Sequence, residues 1–211
     1  MYSLKDVKTY FICPDHNEKY QRRRAHMEEL LTSIGFTNFH HYKSGSYQYP
    51  ACLADAICDI LGQNLDEPVL ILEDDVDTTG QLNFEMPAGC DAVFFGLSRC
   101  AGSRTINRGD GLSRFTPFSE SQVRVHNMLS QHAVLFVSRA IKERYITTVR
   151  KYAGTPYHSD VLFSRIQSEF LVLANRMPAF WQSNAYNEEN LETYTKIYID
   201  GPPGVYVKPL V

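Results

Sequence analysis

Glu73, Asp74, Asp75 and Asp77 set four carboxylates within five positions, directly after the aliphatic run Val69-Leu70-Ile71-Leu72. Like charges this close repel one another, and a divalent cation is the counter-charge that relieves them most directly. Carboxylate oxygens select a hard ion, Mg²⁺ or Mn²⁺. Scattered acidic residues ordinarily form a solvated loop. A cluster at the end of a buried strand instead stands where open α/β sheets put their ligands. The motif reads either as Glu73-Asp74-Asp75 or as Asp75-Val76-Asp77, and Asp75 is common to both.

Three other groupings could work with this turn. Asp15 and the run Arg22-Arg23-Arg24 fall after a first strand, on the opening turns of a helix, where side chains and unpaired N–H groups can meet a phosphate. Consecutive helix positions cannot all face one way, so one or two of the arginines are expected to serve, and Arg22 and Arg24 are the assignment. Arg99, Arg104, Arg108 and Arg114 lie in a Gly- and Ser-rich stretch over residues 97–114 without apolar period, a loop long enough to close over a diphosphate, with Arg104 as the expected contact. Tyr157-His158-Ser159-Asp160 places an imidazole and a carboxylate at an expected helix start. His158 suits Mn²⁺ as a nitrogen ligand, with His126 and His132 as further candidates, and Asp160 suits a general base. The same residues would also serve as an ordinary helix cap. A zinc site has no HExxH and no CxxC pair to support it, and GxGxxG, GxxxxGK[ST] and GxSxG are absent.

The elements that must position these groups alternate. Thr9 to Cys13 reads as a strand feeding a helix that Gly35 ends; Phe36 to Tyr42 is a second strand, and a second helix closes at Gly62. Val69 to Leu72 and Ala92 to Phe95 are further strands, and Ala133 to Val137 leads through a Ser138 cap into a helix reaching about Tyr152. Ser159 is expected to cap another helix through Arg165, and Phe170 to Leu173 is a last strand. This order predicts an α/β fold: a mixed, mostly parallel central sheet flanked by helices. At 211 residues and 44% hydrophobic, the chain is expected to form a single domain over 1–211, with the N-terminal part of a longer protein as the alternative. A net charge of -3 disfavours nucleic acid as partner. Five cysteines without a CxxC pair suggest reduced thiols and a cytoplasmic setting, and no apolar run is long enough to span a membrane.

Taken together, CPDHNEKYQRRRAHMEELLTSIGF, LILEDDVD and QHAVLFVSRAI resemble the GT-A (Rossmann-like) fold glycosyltransferases of the lipopolysaccharide type. More narrowly, they are similar to the glycosyltransferase domains of chlorella virus enzymes that build capsid glycans. The likeness runs from about residue 9 to residue 165. It implies a UDP-sugar donor, Mn²⁺ or Mg²⁺ held by the acidic motif, and a glycan acceptor, and for a viral member the host cytoplasm. Glu73, Asp75, Asp77 and His158 are then the expected metal ligands. Asp15, Arg22, Arg24, Asp74 and Arg104 are the expected donor contacts, and Asp160 is the base of an inverting hexosyl or deoxyhexosyl transfer. Tyr157, Phe180, Trp181 and Tyr186 are candidates to stack on the acceptor, and Glu188 or Glu189 would replace Asp160 if it proved a ribose or metal contact. The 97–114 loop has no counterpart in that pattern, which leaves the donor sugar open. Two other classes use similar carboxylates: a metal-dependent nucleotidyltransferase or phosphohydrolase, and a non-catalytic Ca²⁺-binding module, although the later Gly and Glu of an EF-hand are missing. Oligomeric state is not legible in the sequence.

Overall fold

The structure, a computed structural model, describes residues 1–45, 49–97, 100–101 and 111–183. Strand β1 (Lys8–Ile12) is followed by helix α1 (Glu18–Ser33), β2 (Phe39–Tyr42), α2 (Ala51–Gln63) and β3 (Val69–Glu73). Then come β4 (Val76–Thr78), β5 (Ala92–Phe94), β6 (Phe115–Pro117), β7 (Gln122–Val125) and β8 (Ala133–Phe136). The described chain ends with α3 (Arg139–Lys151), α4 (Ser159–Ile166), β9 (Val172–Asn175) and β10 (Phe180–Gln182).

Eight strands form one sheet in the order β6-β7-β9-β5-β8-β3-β1-β2. As expected, the sheet is mixed. β2, β1 and β3 are parallel, as are β5 and β9, while β8 runs against both its neighbours and β7 against β6 and β9. Six of the eight strands therefore share one direction. The reversal of β8 matters for the site. Ala133, its first residue, pairs with Leu72, so β8 starts where β3 stops, and the N–H of Glu73 donates to the carbonyl of His132 at 3.0 Å.

Strand residues alternate between two cores. Ile12, Val69, Ile71, Ala92, Phe94, Val134 and Phe136 face the layer of α2, α3 and α4, where Ile57, Tyr145 and Phe163 pack. Phe11, Leu70, Leu72, Val93 and Leu135 face the other layer, with Met27 and Leu31 of α1. Helices thus flank both faces.

Local chemistry fixes the helix ends. Asn17 caps α1 by accepting from the N–H of Tyr20, and the helix closes with Gly35 at φ +89° and the N–H of Phe36 donating to Leu31. Ser138 caps α3 as expected. Two expected ends are corrected. α2 runs through Gly62 and stops at Asn64, whose amide donates back to the carbonyl of Ile60. α4 has His158 at its cap position, and Ser159 lies inside the helix donating to Gln131 instead. The last parallel strand is Val172–Asn175, slightly later than expected, and β4, β6, β7 and β10, each of three or four residues, were not anticipated. Arg99, Arg104 and Arg108 of the 97–114 loop, and the tail with Tyr186, Glu188 and Glu189, lie outside the described residues.

Lys142 of α3 ties the two helices of one layer together. Its fully buried ammonium donates to the carbonyls of Asn64, Leu65 and Glu67 just past the end of α2, at 2.8, 3.4 and 2.6 Å. A cation there meets the negative end of the α2 dipole and donates to the carbonyls that follow the helix. Lys142→Met keeps the aliphatic stem but strands these acceptors, and is expected to lower unfolding free energy in urea by about 2–4 kcal/mol. An unchanged midpoint would show that the ammonium does not hold this corner.

Candidate active site

The acidic turn follows β3 without a break and is gripped from α1. Arg23 and His26, three positions apart, share the helix face that meets it. The Arg23 guanidinium donates to Asp74 Oδ1 at 2.7 Å and lies 3.9 Å from Asp75 Oδ2, while His26 Nε2 contacts the Val76 carbonyl at 2.9 Å. The ion pair is buried on both sides, with side chains 10% and 11% exposed. From the other flank comes β10, antiparallel to β4, with Trp181 opposite Asp77 and Gln182 opposite Val76. The N–H of Ser183 donates to the Asp75 carbonyl at 2.7 Å, and the Gln182 amide donates to Glu73 Oε2 at 3.2 Å.

One guanidinium does not neutralise this turn. Burial and then the charges of Asp75, Asp160 and Asp74 push the Glu73 carboxyl well above its ordinary range, with Arg23 opposing. Asp75, 5% exposed, is raised to about 6, by burial first and then by Asp74, against the pull of Arg23 and a hydrogen bond from Gln182. Among the described residues, Asp75 Oδ1 and Asp74 Oδ2 are buried without a hydrogen-bond partner. Buried acceptors left unpaired are costly in a folded chain, and they are what an arriving cation would use.

Asp160 belongs to the same cluster, since its charge acts on Glu73. Its carboxylate accepts from the N–H of Val161 at 2.7 Å and from the N–H of Ser130 at 3.2 Å. Ser130 has φ 75°, a left-handed conformation that few non-glycine residues adopt, and its hydroxyl contacts His132 Nδ1. His132 is buried at the start of β8, and its imidazole is lowered to about 4 by that burial, so it stays neutral. Its ring fills the space beside Gly96, where a Cβ would stand 1.9 Å from Nε2. Asp160 is thus held by a turn that Ser130, His132 and Gly96 shape together.

The expected residues divide as follows. Glu73, Asp74, Asp75 and Asp160 come together. Asp77, half-buried, accepts from the neighbouring N–H of Thr78 on β4. His158 packs edge-to-face on Tyr49, whose ring centroid lies 5.4 Å away, and Tyr49 in turn feels Glu73 and Asp160. Asp15 pairs with Lys43 at 2.7 Å and Arg24 with Glu28 at 2.8 Å, while Arg22 is exposed beside Glu18, Gln21 and Ala25. The arginine that reaches the acidic turn is the middle one, Arg23. Of the aromatic candidates, Phe180 is core, Tyr157 packs against Tyr152 with Arg165 4.8 Å over its ring, and Trp181 is half-buried. His126 contacts Thr116 across β6 and β7, and Arg114 donates its backbone N–H to Asn127.

Among the described residues, no three His, Cys, Asp or Glu side chains converge to form a complete ion cage. Mg²⁺ and Mn²⁺ need none: such ions are commonly held by one or two carboxylates, with substrate phosphates and water supplying the rest. Asp75, whose buried Oδ1 has no hydrogen-bond partner among the described residues, and the adjacent Glu73 fit that role.

No family model matches the chain, and no curated protein matches it. Solved structures similar to it include a glycosyltransferase involved in the glycosylation of the major capsid of PBCV-1, with 14% identity over 79% of this chain and 80% of that one, and a TM-score of 0.46. A nucleoside-diphosphate-sugar pyrophosphorylase from Vibrio cholerae gives 13% identity, 81% and 73% coverage and a TM-score of 0.42. CTP:phosphocholine cytidylyltransferase from Streptococcus pneumoniae gives 8%, 84%, 93% and 0.39. These are likenesses in the path of the chain, and the roles of residues rest on the geometry above.

The raised carboxyl of Asp75 makes the turn a liability without a cation. Its folded pKa lies above the unfolded value, so its contribution to stability is present in full below about pH 4 and is lost as pH rises through about 6. Asp75→Asn, in chelator, is expected to stabilise the chain on the order of 2 kcal/mol near pH 7.5, a gain that disappears toward pH 4. Denaturant titrations across that range check it, and destabilisation at both ends would contradict the assignment.

Proposed function

We propose that this chain is a metal-dependent glycosyltransferase that moves a hexose or deoxyhexose from a nucleotide-sugar, with UDP as carrier, to a glycan acceptor. The observation that carries this reading is the run of Glu73, Asp74 and Asp75 at the end of β3, met by the single guanidinium of Arg23, together with Asp160, which is anchored separately. Two charged sites with different anchors suit two tasks: holding the leaving diphosphate and taking a proton.

Asp75 and Glu73 would hold Mn²⁺ or Mg²⁺, with Asp77 and His158 as the remaining proposed ligands. The bound ion supplies positive charge where negative charge develops on the departing diphosphate. Arg23 keeps Asp74 engaged through Oδ1 and so aims the turn. Asp160, fixed by two backbone N–H groups, keeps lone pairs with which to accept the acceptor hydroxyl proton, on the opposite face of the sugar in an inverting transfer. β10 and the Gln182 bond to Glu73 cover one flank against water.

Trp181, the single tryptophan of the chain, sits opposite Asp77 and reports on this turn by its fluorescence. UDP with Mn²⁺ is expected to change that signal, and Asp75→Ala to abolish the Mn²⁺-dependent part. Equal UDP affinity in chelator and in Mn²⁺ would sink the metal reading. Asp160→Asn is expected to bind UDP and Mn²⁺ normally while transfer falls by about two to four orders of magnitude. Release of pyrophosphate from a nucleoside triphosphate, in place of UDP from a UDP-sugar, would reassign the same carboxylates to nucleotidyl transfer.

A further inference from the structure

Tyr49 is a large aromatic side chain left 62% exposed, at the start of α2. An exposed ring gains meaning from what stands next to it, and this one is the partner of His158. The ring stands at the end of α4 that carries the base: it packs on His158, the cap residue of that helix, and Asp160 lies in the first turn. His158, preceding α4, packs edge-to-face against the ring at 5.4 Å and 72° and limits its freedom. Of the other aromatic candidates, Phe180 is fully buried, Tyr157 is enclosed by Tyr152 and Arg165, and Trp181 is half-buried on β10 opposite Asp77.

We propose that Tyr49 is the stacking wall of a pyranose subsite, receiving the C–H face of the acceptor sugar while one of its hydroxyls meets Asp160. The inference rests on the reading of Asp160 as the base. A pyranose has one face of aligned C–H bonds and a rim of hydroxyls, so it is recognised by an aromatic plane beside carboxylates. Tyr49 and Asp160 supply that pair, from the start of α2 and the first turn of α4, two helices of one layer. The phenol hydroxyl is dispensable for stacking, and the ring is not.

The test uses saturation-transfer difference NMR on the full chain with Mn²⁺ and UDP present, and methyl β-D-glucopyranoside and methyl β-D-galactopyranoside as probes. Wild type is expected to transfer saturation to the ring C–H protons of at least one probe. Tyr49→Phe retains this, and Tyr49→Ala weakens sugar binding roughly tenfold. The Trp181 signal for UDP and Mn²⁺ is expected to be unchanged in both variants. Equal saturation in Tyr49→Ala and wild type overturns the proposal, as does silence of both probes in wild type. Loss of UDP binding in Tyr49→Ala also overturns it, by making Tyr49 a donor contact. Absence of any UDP signal in wild type instead tells against the glycosyltransferase reading itself.

Discussion

The guanidinium of Arg23 is set against the carboxylates of Glu73, Asp74 and Asp75, and this imbalance of charge at the end of β3 governs the arrangement around it. A buried ion pair gains little net stability, because desolvating both partners consumes most of the attraction. Removing one partner is far worse, since it leaves the other buried alone. Arg23 therefore works less as a source of stability than as a fixed point: it occupies Asp74, and the surplus negative charge remains on Glu73 and Asp75. His26, Gln182 and the backbone of Ser183 then hold the turn in place around that surplus. Such a concentration of charge costs stability, the usual exchange between folding and function at sites of this kind.

The sheet explains why the charges can be held so close. β3 is buried on both faces, with Val69 and Ile71 in one core and Leu70 and Leu72 in the other, so its end cannot splay apart to relieve the repulsion. β8, running the opposite way, starts beside it and brings Ser130 and His132 to the same edge, and Asp160 is anchored to the N–H of Ser130. Two carboxylate positions are thereby anchored independently. The turn after β3 gathers charge, and the start of α4 offers a carboxylate whose position depends on a different set of bonds.

The strands and helices with strong periodicity were legible in the sequence, because burial on one or both faces writes itself into spacing. β1, β3, β5, β8 and the helices α1, α2 and α3 fall close to where the apolar pattern puts them. The three- and four-residue strands β4, β6, β7 and β10 were not, since so few residues carry no period, and their pairing depends on partners far away in the chain. The acidic cluster and Asp160 were readable by residue type. Which of three adjacent arginines turns inward was not: it depends on the rotation of α1 about its axis, set by Met27 and Leu31 in the core, and that rotation selects Arg23. The apolar positions of α1 contained this signal, because Arg23 stands four residues before Met27 and eight before Leu31. Tyr49 and Ser130 left no such trace. Their significance comes from the three-dimensional neighbourhood, where Tyr49 packs on His158 at the start of α4, and from a left-handed backbone that a serine gives no reason to expect.

The central claim is that the surplus charge on the turn is the seat of a divalent ion shared with a nucleotide diphosphate. Anomalous X-ray diffraction from crystals grown with Mn²⁺ and UDP tests it most directly. A manganese peak bonded to an Asp75 carboxylate oxygen and to the diphosphate is expected, with Arg23 still paired to Asp74. UDP bound without manganese at Asp75, or manganese bound only elsewhere on the chain, would contradict it.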